Sequence, residues 1–296
     1  MRNEETMYKL FMDIANADDR ILAVYMNGSR TNPNAEKDIF QDYDIVFVVS
    51  EIKSFIENQN WLKKLGDILY MQYPDENPFY PNNKEQYGLL MQFDDGNRVD
   101  LTLEILEYAK ENIKSDKLCK VLLDKAGVLP DIPEATDEDY HIKKPSEVQF
   151  SACCNEFWWC SNNIAKGLWR NEMPYVQDMT NFVVRKELER MLSWKVGLLT
   201  NFTVSVGKSA KYMYKWLDNE EYQKYLKTYF GGNVSEAWDA IEIMCDLFES
   251  VAKEIAEEFG YLYNDKEGKA ARLFLEHVRN LPSDAKEVCI EKISCK

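Results

Sequence analysis

"NGSRTNPNAEKDIFQDYDIVFVV", residues 27–49, is the stretch on which the reading of the fold turns. Its last seven residues, YDIVFVV (43–49), are β-branched and apolar on both faces, as in a strand covered on both sides at the centre of a sheet. On an extended chain, side chains two apart share a face, so Asp42 and Asp44 stand side by side at the head of that strand. Two adjacent carboxylates repel, and something must make the arrangement tolerable. Upstream, a Gly28-Ser29 turn follows ILAVYM (21–26), a short apolar run that reads as a buried strand.

The residues on either side extend an α/β pattern to about residue 125. TMYKLFMDIA (6–15) repeats apolar residues at helical spacing and is stopped by Asp18-Asp19. A helix is expected over about 52–65, then a strand at ILYMQY (68–73) and a loop rich in Pro and Asn (74–84). YGLLMQF (87–93) and RVDLTLE (98–104) flank Asp94-Asp95-Gly96-Asn97, which predicts a hairpin. In the second hairpin strand Val99, Leu101 and Leu103 take one face, while Arg98, Asp100, Thr102 and Glu104 take the other. Asp100 therefore lies on a polar face that can neighbour Asp42 and Asp44. KLCKVLLD (117–124) reads as one more short strand.

Residues 127–145 carry three prolines and five carboxylates without periodicity, the composition of a linker. Beyond it the texture is helical, over about 146–170, 175–200, 209–229, 234–259 and 265–281, with Pro145 placed in a first helical turn and Gly231-Gly232 and Gly260 as stops. Trp158, Trp159 and Trp194 fall in amphipathic helices and are expected in the core. Arg185 is expected to pair with Glu189 one turn on. The fold class is α+β: a mixed-sheet domain over 1–135 followed by an α-helical bundle over 136–296.

The chain has 296 residues and a net charge of -15, which disfavours a nucleic-acid backbone as partner and favours a small cation. Seven cysteines (119, 153, 154, 160, 245, 289 and 295) form no C-x-x-C pair, and there are only two histidines, so a zinc cluster is not expected. Free, mostly buried thiols in a reducing cytoplasm account for them. The N-terminus lacks the basic and apolar regions of a signal peptide, and no window approaches the roughly 20 apolar residues of a membrane helix.

Taken singly, Gly-Ser reads as a turn and Asp-x-Asp as a solvated strand end. Their combination points to phosphoryl chemistry. Mg²⁺ prefers hard oxygen ligands and is completed by one or two carboxylates plus substrate phosphates, and two such ions can clamp an in-line displacement. Asp42, Asp44 and Asp100 supply the carboxylates. Gly28 lets the backbone approach a phosphate, Ser29 can donate to phosphate oxygens and Arg30 can add positive charge. "GKS" at 207–209 is not a P-loop, because position 202 is Phe rather than the required Gly.

The order strand, Gly-Ser, a 12-residue loop (30–41), Asp-x-Asp on a second strand and a later strand Asp resembles the nucleotidyltransferase superfamily typified by DNA polymerase beta. MNGSRTNP, FQDYDIVFVV, NRVDLTL and GKSAKYMYKWL, together and in this order, look like the aminoglycoside 6-adenylyltransferase family, over nearly the whole chain. The resemblance implies Mg²⁺-dependent transfer of AMP from ATP to a hydroxyl of an aminoglycoside, the 6-hydroxyl of streptomycin foremost, with release of pyrophosphate and resistance to the drug.

It implies Asp42 and Asp44 as metal ligands and Asp100 as general base or metal partner, two roles that compete in one carboxylate. Lys195 and Lys208, 13 residues apart, match the cations that hold the triphosphate in related adenylyltransferases. Trp169, Tyr175 and Asp178 fall where relatives place drug-binding residues. Guanidinium groups need carboxylates and aromatic faces, and Glu104, on the Asp100 face, can reach the same cleft. Alternatives are another acceptor (a different aminoglycoside, a lincosamide, a protein hydroxyl) or a non-catalytic ligand-binding relative.

Overall fold

A computed structural model describes residues 1–288 and 290, which form two compact units, the first Met1–Asp139 and the second beginning at Tyr140. The first unit runs α1 (Glu4–Asn16), β1 (Ile21–Asn27), β2 (Tyr43–Val49), α2 (Lys53–Glu57), β3 (Ile68–Gln72), β4 (Gln86–Phe93), β5 (Arg98–Ile105), α3 (Leu106–Asn112) and β6 (Cys119–Asp124). Its six strands form one mixed sheet in the order β3-β4-β5-β2-β1-β6. The β2–β5 pair at the centre is parallel and every other pair antiparallel.

Alternation along β2 and β5 divides this sheet into two unequal faces. Tyr43, Ile45, Phe47 and Val49 join Val99, Leu101 and Leu103 in the larger core, closed by Met7, Phe11 and Ile14 of α1. On the other face Val46 and Val48 meet Tyr25, Ala109 and Ile113 in a smaller core, with Val128, Leu129 and Ile132 packed against it. That second cover lies over the C-terminal ends of the parallel pair. The N-terminal ends, where Asp44 and Asp100 stand, remain part-exposed. The aspartates thus sit at the open end of an otherwise dry face.

The helix expected over 52–65 is interrupted. Asn58 turns extended (φ -133°, ψ 92°) and its side chain caps a new 3-10 turn, Gln59–Leu65, by accepting from the Asn60 amide at 3.1 Å. Asx side chains offer the backbone this alternative to a continuing helix.

The second unit contains α4 (Glu147–Trp169), α5 (Met173–Met179), α6 (Arg185–Thr200), α7 (Asn219–Lys227), α8 (Val234–Phe259) and α9 (Asp265–Arg279). Ser146 opens α4 with a capping box to Gln149, so Pro145 stands just outside the first turn it was expected to occupy. Helix α4 packs on α5, α6, α8 and α9 around a core that includes Phe157 stacked on Phe248 at 3.7 Å. A π-helical turn, Thr180–Val184, joins α5 to α6.

The expected helix over 209–229 is replaced by two 3-10 turns and the short α7. Gly207, Ser209 and Ala210 all have positive φ (72°, 55° and 58°), which no right-handed helix accommodates. Asp218 then caps α7 by accepting from the Glu221 amide at 2.9 Å. Trp158 and Trp194 are buried as expected, whereas Trp159 is 67% exposed. Phe157 and Trp158 already take the core-facing side of α4 at this level, and Trp159, a further turn of about 100° round, points outward. The five cysteines among the described residues are free and buried; Cys289 and Cys295 lie outside them. Among the described residues no helix is long and apolar enough to cross a membrane.

Candidate active site

Asp44 and Asp100 are register partners on the adjacent parallel strands β2 and β5, and Asp42 lies two residues earlier on the same face as Asp44. The turn after β1 comes up against them. Gly28 has φ +75°, and a Cβ there would lie 2.1 Å from Asp44 Oδ2. Glycine is required twice, for the left-handed backbone and for the space the carboxylate occupies. Thr31 closes the turn, its amide and hydroxyl donating to the Gly28 carbonyl at 3.1 and 2.8 Å. Ser29 is half-buried, with the Gln41 amide 3.5 Å from its hydroxyl.

Burial and mutual repulsion set the electrostatics. Desolvation, then the charges of Asp100 and Asp42, push the Asp44 carboxyl up to about 6, against the opposing pull of Arg98 and Arg30. Asp42 is raised as well, again by desolvation first, with Arg98 opposing and Asp100 adding. A pair of strongly interacting carboxylates in a part-open cleft is a common mark of a functional site.

Arg98 takes part in this cluster, although the sequence reading gave it no role. Its Nε and terminal nitrogen fork the two oxygens of Asp100 at 2.8 and 2.7 Å, and Nε lies 3.6 Å from Asp42 Oδ2. The signal was present in the alternation, which puts position 98 on the Asp100 face two residues upstream.

The donor set suits a hard divalent cation. It offers carboxylate oxygens only, in excess of the charge that Arg98 balances, beside a turn where backbone can approach a phosphate. Among the described residues no three carboxylate, His or Cys side chains close around a single point. Mg²⁺ does not require that, since it completes its shell with phosphate oxygens and water. Asp42 and Asp44 would hold such an ion, and Asp100 could join them once freed from Arg98.

Two residues expected in this cleft have other work. Arg30 donates to the carbonyls of Gln41 and Asp42 at 2.8 and 3.0 Å and stacks on the Tyr43 ring at 3.7 Å. Its side chain is only 9% exposed, so it buckles the 30–41 loop to β2 and does not present its charge to a phosphate. Glu104 is 2% exposed, accepting from the Tyr25 hydroxyl at 2.6 Å and the Asn112 amide at 2.7 Å. Helix α3 covers this end of the face, so Glu104 fastens α3 to the sheet and cannot meet a drug in an open cleft.

In the second unit, Lys195 is gripped by two carboxylates, Glu221 of α7 and Glu254 of α8, the latter at 2.7 Å. It ties three helices together and is not a free cation. Lys208 is exposed next to the left-handed Ser209. Trp169 is part-buried and its indole N–H donates to the carbonyls of Leu281 and Pro282, both at 3.2 Å, which makes it an anchor for the chain after α9. Tyr175, 43% exposed, lies across Gly167, and Asp178 is exposed one turn further along α5. Arg185 does not form the expected pair with Glu189. It is buried against Tyr229 at 3.6 Å and donates to Asn181 and to the Thr228 carbonyl, while Glu189 accepts from Lys186 and Tyr225.

A mixed sheet with a Gly-Ser turn set against aspartates on its central strands, followed by a helical unit, is the architecture of an α+β nucleotidyltransferase. A family model described as streptomycin adenylyltransferase matches residues 1–278. An aminoglycoside 6-adenylyltransferase from Campylobacter jejuni is 38% identical over 263 residues, 89% of this chain and 91% of the relative. The one from Bacillus subtilis is 37% identical over 267 residues, 90% of this chain and 94% of the relative. A crystal structure of an aminoglycoside 6-adenyltransferase from Bacillus subtilis covers 95% of this chain and 100% of its own, at 32% identity and a TM-score of 0.48. The chain belongs to the streptomycin adenylyltransferase family.

Proposed function

We propose that this enzyme transfers AMP from ATP to a hydroxyl of an aminoglycoside, the 6-hydroxyl of streptomycin, and that the modification confers resistance to the drug. The observation that carries the reading is the register of Asp44 with Asp100 beside Asp42, over a turn whose glycine cannot be replaced without striking Asp44. The family membership and the relatives named for this activity support it.

In the proposed reaction the acceptor oxygen attacks the α-phosphorus of ATP. The bond from that phosphorus to the oxygen bridging to the β-phosphate breaks, and pyrophosphate leaves. Bound Mg²⁺ would polarise the phosphoryl oxygens and offset charge at the reacting centre. Asp42 and Asp44 would hold that ion. Asp100 accepts the proton of the acceptor hydroxyl, a poor nucleophile until the proton is taken. The Gly28-Ser29 turn receives the phosphates. Tyr175 and Asp178 supply an aromatic face and a carboxylate for a guanidinium, in keeping with a chain whose net charge is -15.

The test is incubation with ATP, Mg²⁺ and streptomycin, followed by pyrophosphate release and the mass of the drug. Stoichiometric pyrophosphate and a drug heavier by one adenylyl group are expected. Absence of turnover across a panel of aminoglycosides would overturn the proposal.

A further inference from the structure

We infer that Arg98 is a positioning residue that holds the place of the divalent cation before ATP arrives and makes metal loading depend on the nucleotide. The inference rests on the function proposed above and concerns how the same cluster is made ready.

Arg98 forks both oxygens of Asp100 and lies 3.6 Å from Asp42, so it occupies the carboxylate proposed as base and stands beside one of the two that would hold the cation. A planar guanidinium with parallel N–H groups suits a carboxylate better than a lysine would. While the fork stands, both oxygens of Asp100 accept from Arg98, and a positive charge lies 3.6 Å from Asp42. An incoming cation therefore meets an electrostatic rival at the site it must enter.

The same geometry makes the rival removable. The Arg98 side chain is 45% exposed and that of Asp100 21%, and ion pairs this open to solvent hold weakly. A complex of ATP with the metal brings both halves of an exchange. The guanidinium gives up Asp100 and Asp42, where the cation's charge would take its place, and finds a new anion in the phosphate oxygens. A metal without nucleotide brings only the first half and leaves Arg98 without a partner.

Binding of Mn²⁺, followed by electron paramagnetic resonance of the free ion, tests this on the full chain. Without nucleotide, Arg98→Gln is expected to bind Mn²⁺ roughly tenfold or more tightly than the wild type, because one adjacent positive charge is gone. Arg98→Lys should fall between the two, since an ammonium cannot fork Asp100. With a non-hydrolysable ATP analogue the three proteins should converge. Equal or weaker Mn²⁺ binding by both variants without nucleotide would overturn the inference. Thermal unfolding checks that each variant is folded, and Arg98→Lys keeps the question open to test should Arg98→Gln fail to fold.

Adding Asp44→Asn to Arg98→Gln should abolish the gain. Retention of the gain would place the ion elsewhere and overturn the inference. The two proposals also fail separately. Tighter Mn²⁺ binding without transfer to any aminoglycoside would sink the function and leave the role of Arg98, whereas transfer with unchanged Mn²⁺ binding would do the reverse.

Discussion

Replacing Asp44 by Asn should raise stability and abolish activity in one step, a combination that a merely structural aspartate would not give. The carboxyl is pushed from its ordinary 3.8 to about 6 by burial and by Asp100 and Asp42. Because the folded value lies above the unfolded one, the folded state holds more protons between these pH values. Stability therefore falls as pH rises through about 4 to 6, and the full cost is present at neutral pH. At ~1.4 kcal/mol for each pH unit the cost approaches roughly 3 kcal/mol. Asparagine keeps the shape and removes the charge, so the nucleotide-free variant should gain about 2 kcal/mol, somewhat less than that cost because a buried amide still needs partners. Thermal unfolding of the metal-free proteins at pH 5 and 7.5 reads this as a melting point raised by several degrees at pH 7.5 and by less at pH 5. Adenylyl transfer should drop by on the order of 10²-fold or more, as when a transition-state charge clamp is removed. A variant less stable than the wild type at pH 7.5, or one with near wild-type turnover, would refute the reasoning.

Three further outcomes are expected. Gly28→Ala forces a methyl group onto Asp44 Oδ2 in a left-handed backbone; denaturant unfolding should show a loss of more than about 1 kcal/mol, with transfer lost as well. Lys195→Met leaves Glu221 and Glu254 facing each other at the place the ammonium vacates, and should cost about 2 kcal/mol in the same assay with little change in KM for ATP. Asp178→Asn should raise KM for streptomycin while leaving kcat and KM for ATP near wild type, the pattern of a contact made equally in ground and transition states.

The central strands and their polar and apolar faces were legible because period-two alternation is a local signal; the parallel pairing and the register that sets Asp44 opposite Asp100 were not, since alternation gives a face and not a partner strand. The same alternation put Arg98, Asp100 and Glu104 on one face, but it carries no information on which end of the face a later helix covers. Glu104 became a fastener beneath α3 for that reason. Lys195 misled in a similar way, since its partners Glu221 and Glu254 lie 26 and 59 residues away. The turns after Gly207 were unreadable because Ser209 and Ala210, neither a residue type that favours positive φ, both take it.

The most direct test of the account is a crystal structure of the protein with a non-hydrolysable ATP analogue, Mn²⁺ and streptomycin. The account predicts anomalous density for Mn²⁺ on Asp42 and Asp44, phosphates at the Gly28-Ser29 turn, and Asp100, released from Arg98, within hydrogen-bonding reach of the 6-hydroxyl of the drug. A nucleotide bound away from that turn, with no metal on Asp42 or Asp44, would contradict it.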